Sequence, residues 1–166
     1  MPAPSLHEQV AHLAGFLGTW RGRGHGDYPT IEAFDYLEQV TFGHVGKPFL
    51  AYGQRTRHAD TDQPLHAEAG YLRPGGDPGT AELVIAQPTG ITEVHTGTIE
   101  DGDDGLVVDL RCEAPGLTPT ARPVTVVRRR IVLAGDTLHY DLWMGHDETP
   151  ETHHLAAELH RQETDQ

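Results

Sequence analysis

The chain has 166 residues, enough for one domain with its own hydrophobic core, and we expect a single domain over residues 1–166. It carries 12 Lys and Arg against 25 Asp and Glu, a formal net charge of −13. This balance excludes the basic surface that nucleic-acid binding needs, and no apolar run approaches the ~20 residues of a membrane span, so neither partner is expected.

The first predicted element is an amphipathic helix over residues 5–17. Ser5 stands where an N-cap would be, since its hydroxyl could accept a hydrogen bond from the first turn. Behind it the apolar residues recur at spacings of three and four, as on one face of a helix: Leu6, Val10, Leu13 and Leu17. No other segment predicts a helix as strongly.

Everything after this helix predicts β-strands. The stretch at 18–24 is extended, and eight short, partly alternating stretches follow it: 31–42, 49–58, 65–73, 81–87, 91–100, 105–113, 124–133 and 137–146. The connections are dense in Gly, Pro and Asp, which favour turns. With the C-terminal stretch this gives about ten antiparallel strands in sequence order, and closing them into an up-and-down β-barrel removes unpaired edges. A barrel of this size can enclose one small ligand.

The stretch "GTWRGRG" has a regular spacing of its own. Gly18, Trp20, Gly22 and Gly24 are two residues apart and therefore share one face of a strand. An architectural interpretation is the simplest: alternate glycines allow a bend and a close approach by a neighbour, and Trp20 would close one end of the barrel. No helix with Lys and Ser or Thr follows, which disfavours a phosphate-binding loop.

Most of the 12 histidines lie near polar residues or turns and are expected to be solvated, among them His7, His12, His58, His95 and His146. His66 is different because it shares one strand face with Glu68 and Gly70. That face could point into the barrel or out of it.

The C-terminal stretch "ETHHLAAELHRQ" contains His153, His154 and His160. Strict alternation places His153 on the face of the leucines and His154 on the other face with His160, so periodicity directs His153 inward. A bulge at this point would reverse the assignment. A zinc site is the competing use of clustered histidines, but three or four ligands are needed, Cys112 is the only thiol, and no usual zinc-ligand spacing occurs.

Five blocks of the sequence, in order, resemble the nitrobindin family along essentially the whole chain. They are "FLGTWRGRGHGDYPTI", "GKPFLAYGQRTR", "PLHAEAGYLR", "ELVIAQPTGITEVHTGT" and "HHLAAELHR". The first contains the family's GxWxGxG signature. The resemblance implies a single-domain bacterial nitrobindin: a roughly ten-stranded antiparallel barrel, similar to fatty-acid-binding proteins and lipocalins, with haem b held near its open end.

The same resemblance implies the site residues. His154 aligns with the axial iron ligand and catalytic position, whereas the family does not reserve the position of His153 for histidine. We follow the motif here rather than the alternation. Further haem-binding residues are implied around it: Thr30 as a haem contact, Arg122 as a propionate partner, Leu65 and His66 on the distal side, and Met144 as an apolar wall. Arg23 and Arg128 are additional basic residues that could attract an anion.

The activity implied by the resemblance is isomerisation of peroxynitrite to nitrate at ferric haem, with nitric oxide binding at ferrous haem. One protein ligand leaves the sixth iron position open, and the pocket then decides the outcome. Two alternatives remain: a non-catalytic haem carrier or nitric oxide sensor, and a barrel for fatty acids or other apolar ligands. The single cysteine and the lack of a recognisable secretory leader lead us to expect a cytoplasmic protein. We expect it to be a monomer or homodimer.

Overall fold

The computed structural model describes residues 1–163 and consists of a short N-terminal helix followed by eleven strands. The helix, Glu8–Phe16, is a 3₁₀ helix. The strands are β1 Gly18–Tyr28, β2 Ile31–Gly43, β3 Leu50–His58, β4 Pro64–Pro74, β5 Thr80–Ala86, β6 Ile91–Gly102, β7 Gly105–Cys112, β8 Gly116–Leu117, β9 Val124–Ala134, β10 Thr137–His146 and β11 Thr149–Arg161.

Ten of these strands close into an antiparallel barrel. Each pairs with the next along the chain, β7 pairs with β9, and β11 returns to pair with β1. The two-residue β8 is an additional strand on β6. The predicted all-β, up-and-down barrel with a short N-terminal helix is therefore confirmed. Within residues 1–163, no helix has the length and apolar character to cross a bilayer.

The helix differs from its prediction in start and type. It begins at Glu8, and His7 rather than Ser5 caps it, because His7 Nδ1 accepts a hydrogen bond from the backbone N–H of Gln9 at 3.2 Å. Its fully buried residues are Val10, Leu13 and Phe16. Residues three apart line up in a row along a 3₁₀ helix, so this spacing buries all three in the barrel end.

Trp20 joins this helix to the barrel. Its ring is 0% exposed, its indole N–H donates to the carbonyl of Phe16 at 2.8 Å, and the Arg161 guanidinium lies 4.3 Å from the ring centroid. A Cβ on Gly22 would overlap the backbone of β11, and a Cβ on Gly24 would overlap the Tyr36 ring. The "GTWRGRG" stretch thus closes one barrel end and lets neighbouring groups approach β1.

Candidate functional site

A cavity of about 560 Å³ occupies the barrel interior, a size typical of small-molecule sites. Its mouth lies at the end opposite the 3₁₀ helix, where β1 and β10 finish and β2, β4 and β11 begin. Largely apolar side chains line the mouth, including Ile31, Phe34, Leu65, Met144 and Leu155. Deeper in the barrel the lining becomes polar.

His154 lies at the mouth because of a β-bulge in β11. Leu142 pairs with Leu155 and the next residue, Trp143, pairs with His153, so His154 has no residue opposite it. The extra residue reverses the alternation of side chains. His154 therefore lines the cavity, whereas His153 points outward, bonded to Asp141 at 2.8 Å. The inward orientation that alternation predicts for His153 is wrong.

The surroundings of His154 prepare its imidazole to act as a metal ligand. Its Nδ1 lies 3.1 Å from the carbonyl oxygen of Asp27, which can only accept, so Nδ1 carries the hydrogen and Nε2 keeps a free lone pair. Burial lowers the pKa of His154 and favours the neutral ring. The ring of Tyr28 packs against it with centroids 5.1 Å apart, and the Tyr28 hydroxyl donates to the Met144 carbonyl at 3.0 Å. A neutral histidine held through its second nitrogen is the usual form of a metal-ligating histidine.

Several other predicted residues also reach the cavity. Leu65, His66, Arg122 and Met144 line it together with His154. Arg122 takes part in none of the ion pairs among residues 1–163 and so keeps its donors for a ligand.

Three predicted residues do not reach the cavity. Thr30 lies exposed in the turn before β2, and its neighbour Ile31 lines the cavity instead, because the chain enters β2 with Ile31 turned inward. Arg23 pairs with Asp35 at 3.1 Å and Arg128 with Asp109 at 2.7 Å. Both arginines occupy outward positions of their strands, where acidic neighbours already bind them.

The deeper part of the cavity contains an ion-pair network that the sequence reasoning missed. Arg129 donates to both oxygens of Glu68 at 2.7 and 3.0 Å and to Glu93 at 2.7 Å, and all three residues are buried. Burial raises the pKa of both carboxyl groups, but the Arg129 guanidinium and the hydrogen bond from a neighbouring histidine together outweigh burial and hold both pKa values below the ordinary one. Three consecutive arginines in β9, 128–130, were the available signal, since a strand must turn at least one of them inward.

Each carboxylate on Arg129 also contacts a histidine two residues away in its own strand. His66 Nε2 lies 3.2 Å from Glu68, and His95 Nε2 lies 2.8 Å from Glu93. His95 is 0% exposed, so its predicted solvation is wrong. It shares the inward face of β6 with Ile91 and Glu93, which explains its burial.

A second polar group in the interior centres on Glu38. It accepts hydrogen bonds from the Tyr140 hydroxyl at 2.6 Å and the Gln54 amide at 3.0 Å, and the Tyr36 and Tyr140 hydroxyls lie 2.8 Å apart. Burial raises the pKa of Glu38 to about 7. We call the two groups together the polar belt: Glu38, Gln54, Glu68, Glu93, Arg129 and Tyr140.

The polar belt disfavours a fatty acid as ligand. Its arginine already lies between two carboxylates, so a third carboxylate at this depth would meet like charge in a poorly solvated space. An anionic group fits better at the mouth, beside Arg122. The residues at the mouth therefore fit haem. His154 would bind the iron, the apolar side chains would enclose the ring, and Arg122 would pair with a propionate.

Comparison with known proteins agrees with this site. The family model described as "THAP4-like, heme-binding beta-barrel domain" matches residues 9–161. Two similar curated proteins are the peroxynitrite isomerase of Nocardia farcinica, 51% identical over 96% of this chain and 95% of its own, and peroxynitrite isomerase 2 of Mycobacterium avium, 53% identical over 95% and 97%. The crystal structure of Rv2717c from M. tuberculosis superposes with a TM-score of 0.91 at 48% identity, covering 96% of this chain and all of that one.

A haem-binding β-barrel is thus the class that fold and site define. The chain belongs to the THAP4-like haem-binding barrel family, which is the nitrobindin family that its sequence resembles.

Proposed function

We propose that this chain is a haem-dependent peroxynitrite isomerase that converts peroxynitrite to nitrate at ferric haem b and binds nitric oxide when the haem is ferrous. The observation that carries the proposal is His154, turned into the cavity by the bulge and held by the Asp27 carbonyl with its Nε2 lone pair free. Relatives about half identical over nearly their full length carry the name peroxynitrite isomerase, which supports the activity.

Within this proposal each residue of the mouth has a defined task. Haem, when bound, would supply an iron able to bind a small oxidant or a diatomic ligand. His154 would hold the iron through Nε2, and Asp27 and Tyr28 keep its ring in place. Arg122 would pair with a propionate, Leu65 and Met144 would exclude water, and His66 would face the reacting ligand.

The first test compares His154→Ala with His153→Ala. The two residues are adjacent histidines in one strand, but only His154 lines the cavity. We expect the His154 variant to lose the Soret band of the haem-loaded protein and the His153 variant to keep it. Equal loss in both variants, or retention in both, would show that His154 is not the ligand.

A second test separates an enzyme from a carrier or sensor. Stopped-flow mixing with peroxynitrite, followed by measurement of nitrate yield, should show faster decay and more nitrate for ferric holoprotein than for the haem-free chain. Equal rates would leave the binding functions, haem carriage or nitric oxide sensing. A colourless barrel that extracts lipid would instead support the apolar-ligand alternative.

We also infer that residues 1–166 act as one domain in a reducing cytoplasm, on small molecules only, as a monomer or homodimer. The lone cysteine, Cys112, is buried, and the net charge of −13 opposes association with nucleic acids or anionic membranes. Light scattering after size exclusion would decide between the monomer and the dimer.

A further inference from the structure

His66 is the only polar cavity residue of the predicted distal pair, and its orientation depends on a buried carboxylate. His66 and Glu68 are two residues apart in β4, on the same face, with Nε2 of the ring 3.2 Å from Oε1 of the carboxylate. The His66 side chain is 30% exposed, whereas that of Glu68 is only 4% exposed. The contact thus joins the partly exposed His66 ring to a buried carboxylate.

Glu68 is held in place from two further directions. Arg129 binds both of its oxygens, and the Tyr52 hydroxyl donates to Oε2 at 2.8 Å. The guanidinium and the contact with His66 together outweigh the effect of burial and hold the pKa of the carboxyl group below its ordinary value, so the group is ionised. An ionised carboxylate has no hydrogen to donate, so the hydrogen in the contact with His66 must lie on Nε2.

We propose that Glu68 is a positioning residue for His66, which fixes the ring plane and its tautomer so that Nδ1 is the nitrogen offered to a ligand in the cavity. A neutral His66 then presents an acceptor, not a donor, to a small molecule bound beside it. What this orientation of His66 does for the reaction rests on the proposed function. The contact itself can be tested on the chain with or without haem.

The molecule contains a matched control in Glu93. This carboxylate binds the same guanidinium at 2.7 Å and contacts a histidine of its own strand, His95, at 2.8 Å. His95 is fully buried and does not line the cavity, whereas His66 does. Replacing either Glu68 or Glu93 leaves Arg129 with one carboxylate, but only the Glu68 change frees the cavity histidine.

The direct experiment is nitrogen NMR of the haem-free full chain with ¹⁵N-labelled histidine at alkaline pH. His66→Gln assigns the His66 signals. In the wild type we expect a protonated Nε2 and an unprotonated Nδ1, and in Glu68→Leu an average of both tautomers. Glu93→Leu should leave the His66 signals unchanged. A wild-type ring protonated on Nδ1 would overturn the proposal even if neither leucine variant folds.

The haem-loaded protein gives a second measurement, the C–O stretching band of the ferrous carbon monoxide complex. Glu68→Leu should shift or broaden this band, and the effect should vanish when His66 is also changed to Ala. An unchanged band in Glu68→Leu, or an equal shift in Glu93→Leu, contradicts the proposal. If His154→Ala shows that haem is not bound as proposed, the haem-free NMR result still decides the role of Glu68.

Discussion

Glu38 makes the stability of this barrel depend on pH in a direction that one substitution can isolate. The residue is 5% exposed, and the two groups that donate to it, Tyr140 and Gln54, are uncharged. Burial raises the pKa of Glu38 from 4.5 to about 7, and the hydrogen bonds from Tyr140 and Gln54 only partly oppose it. The effects of Glu68, which raises the pKa, and Arg129, which lowers it, are smaller still. Glutamine has nearly the same shape and never ionises, so Glu38→Gln removes the titration and keeps an acceptor for Tyr140.

The sign and size follow from linkage between protonation and folding. A carboxyl group whose pKa is raised by folding stabilises the protein fully below its unfolded pKa, and this contribution is lost as the pH rises through the folded value. A rise from 4.5 to about 7, at ~1.4 kcal/mol per unit, corresponds to about 3 kcal/mol in total. Between about pH 5 and about pH 8 the wild type should therefore lose roughly 2 to 3 kcal/mol relative to Glu38→Gln.

Urea unfolding of the haem-free chain at several pH values measures this difference. The free energies of wild type and Glu38→Gln should lie closest at low pH and separate as the pH rises. Glu32→Gln, an exposed carboxylate in the same strand, is the control and should run parallel to the wild type. A constant offset between wild type and Glu38→Gln over the whole range would refute the reasoning.

Two further pairs of substitutions, each an interior change with its control, are compared by the same unfolding assay. Arg129→Met should cost about 3–5 kcal/mol, because it leaves two buried carboxylates without their cation, whereas Arg128→Met, whose pair with an aspartate is partly exposed, should cost about 1 kcal/mol or less. Gly24→Ala should cost about 1–3 kcal/mol because its Cβ overlaps the Tyr36 ring, and Gly43→Ala, with no heavy atom near its Cβ position, should be close to neutral. Equal losses within either pair would contradict these assignments.

The barrel could be predicted because its information is local. Alternating strands and turns rich in Gly, Pro and Asp specify each hairpin, and an antiparallel series of hairpins needs little else to close. The helix type was harder, since Val10, Leu13 and Phe16 suit either a 3₁₀ or an α row over so few residues. In the structure the helix is 3₁₀ and all three residues are fully buried, as expected for residues three apart in such a helix.

The site could be predicted only in part, because its main residues depend on a register set by other strands. Alternation fails at His154, where a bulge opposite Leu142 and Trp143 adds one residue, and nothing in the local pattern marks that position. Arg129 was missed for a related reason: the run 128–130 indicates that an arginine turns inward, but not what it binds there. Its two carboxylate partners come from β4 and β6, far apart in the sequence.

The polar belt also explains why a barrel built like a fatty-acid carrier would hold its ligand at the mouth. An apolar chain reaching the barrel floor would have to pass Glu68, Glu93 and Arg129 and break hydrogen bonds that buried charges cannot replace from water. An apolar ring at the mouth would leave those bonds intact, with Leu65 and Met144 as its walls. The buried charges therefore limit how far a ligand enters the barrel. The bulge in β11 places His154 at the mouth, where the ligand would stop.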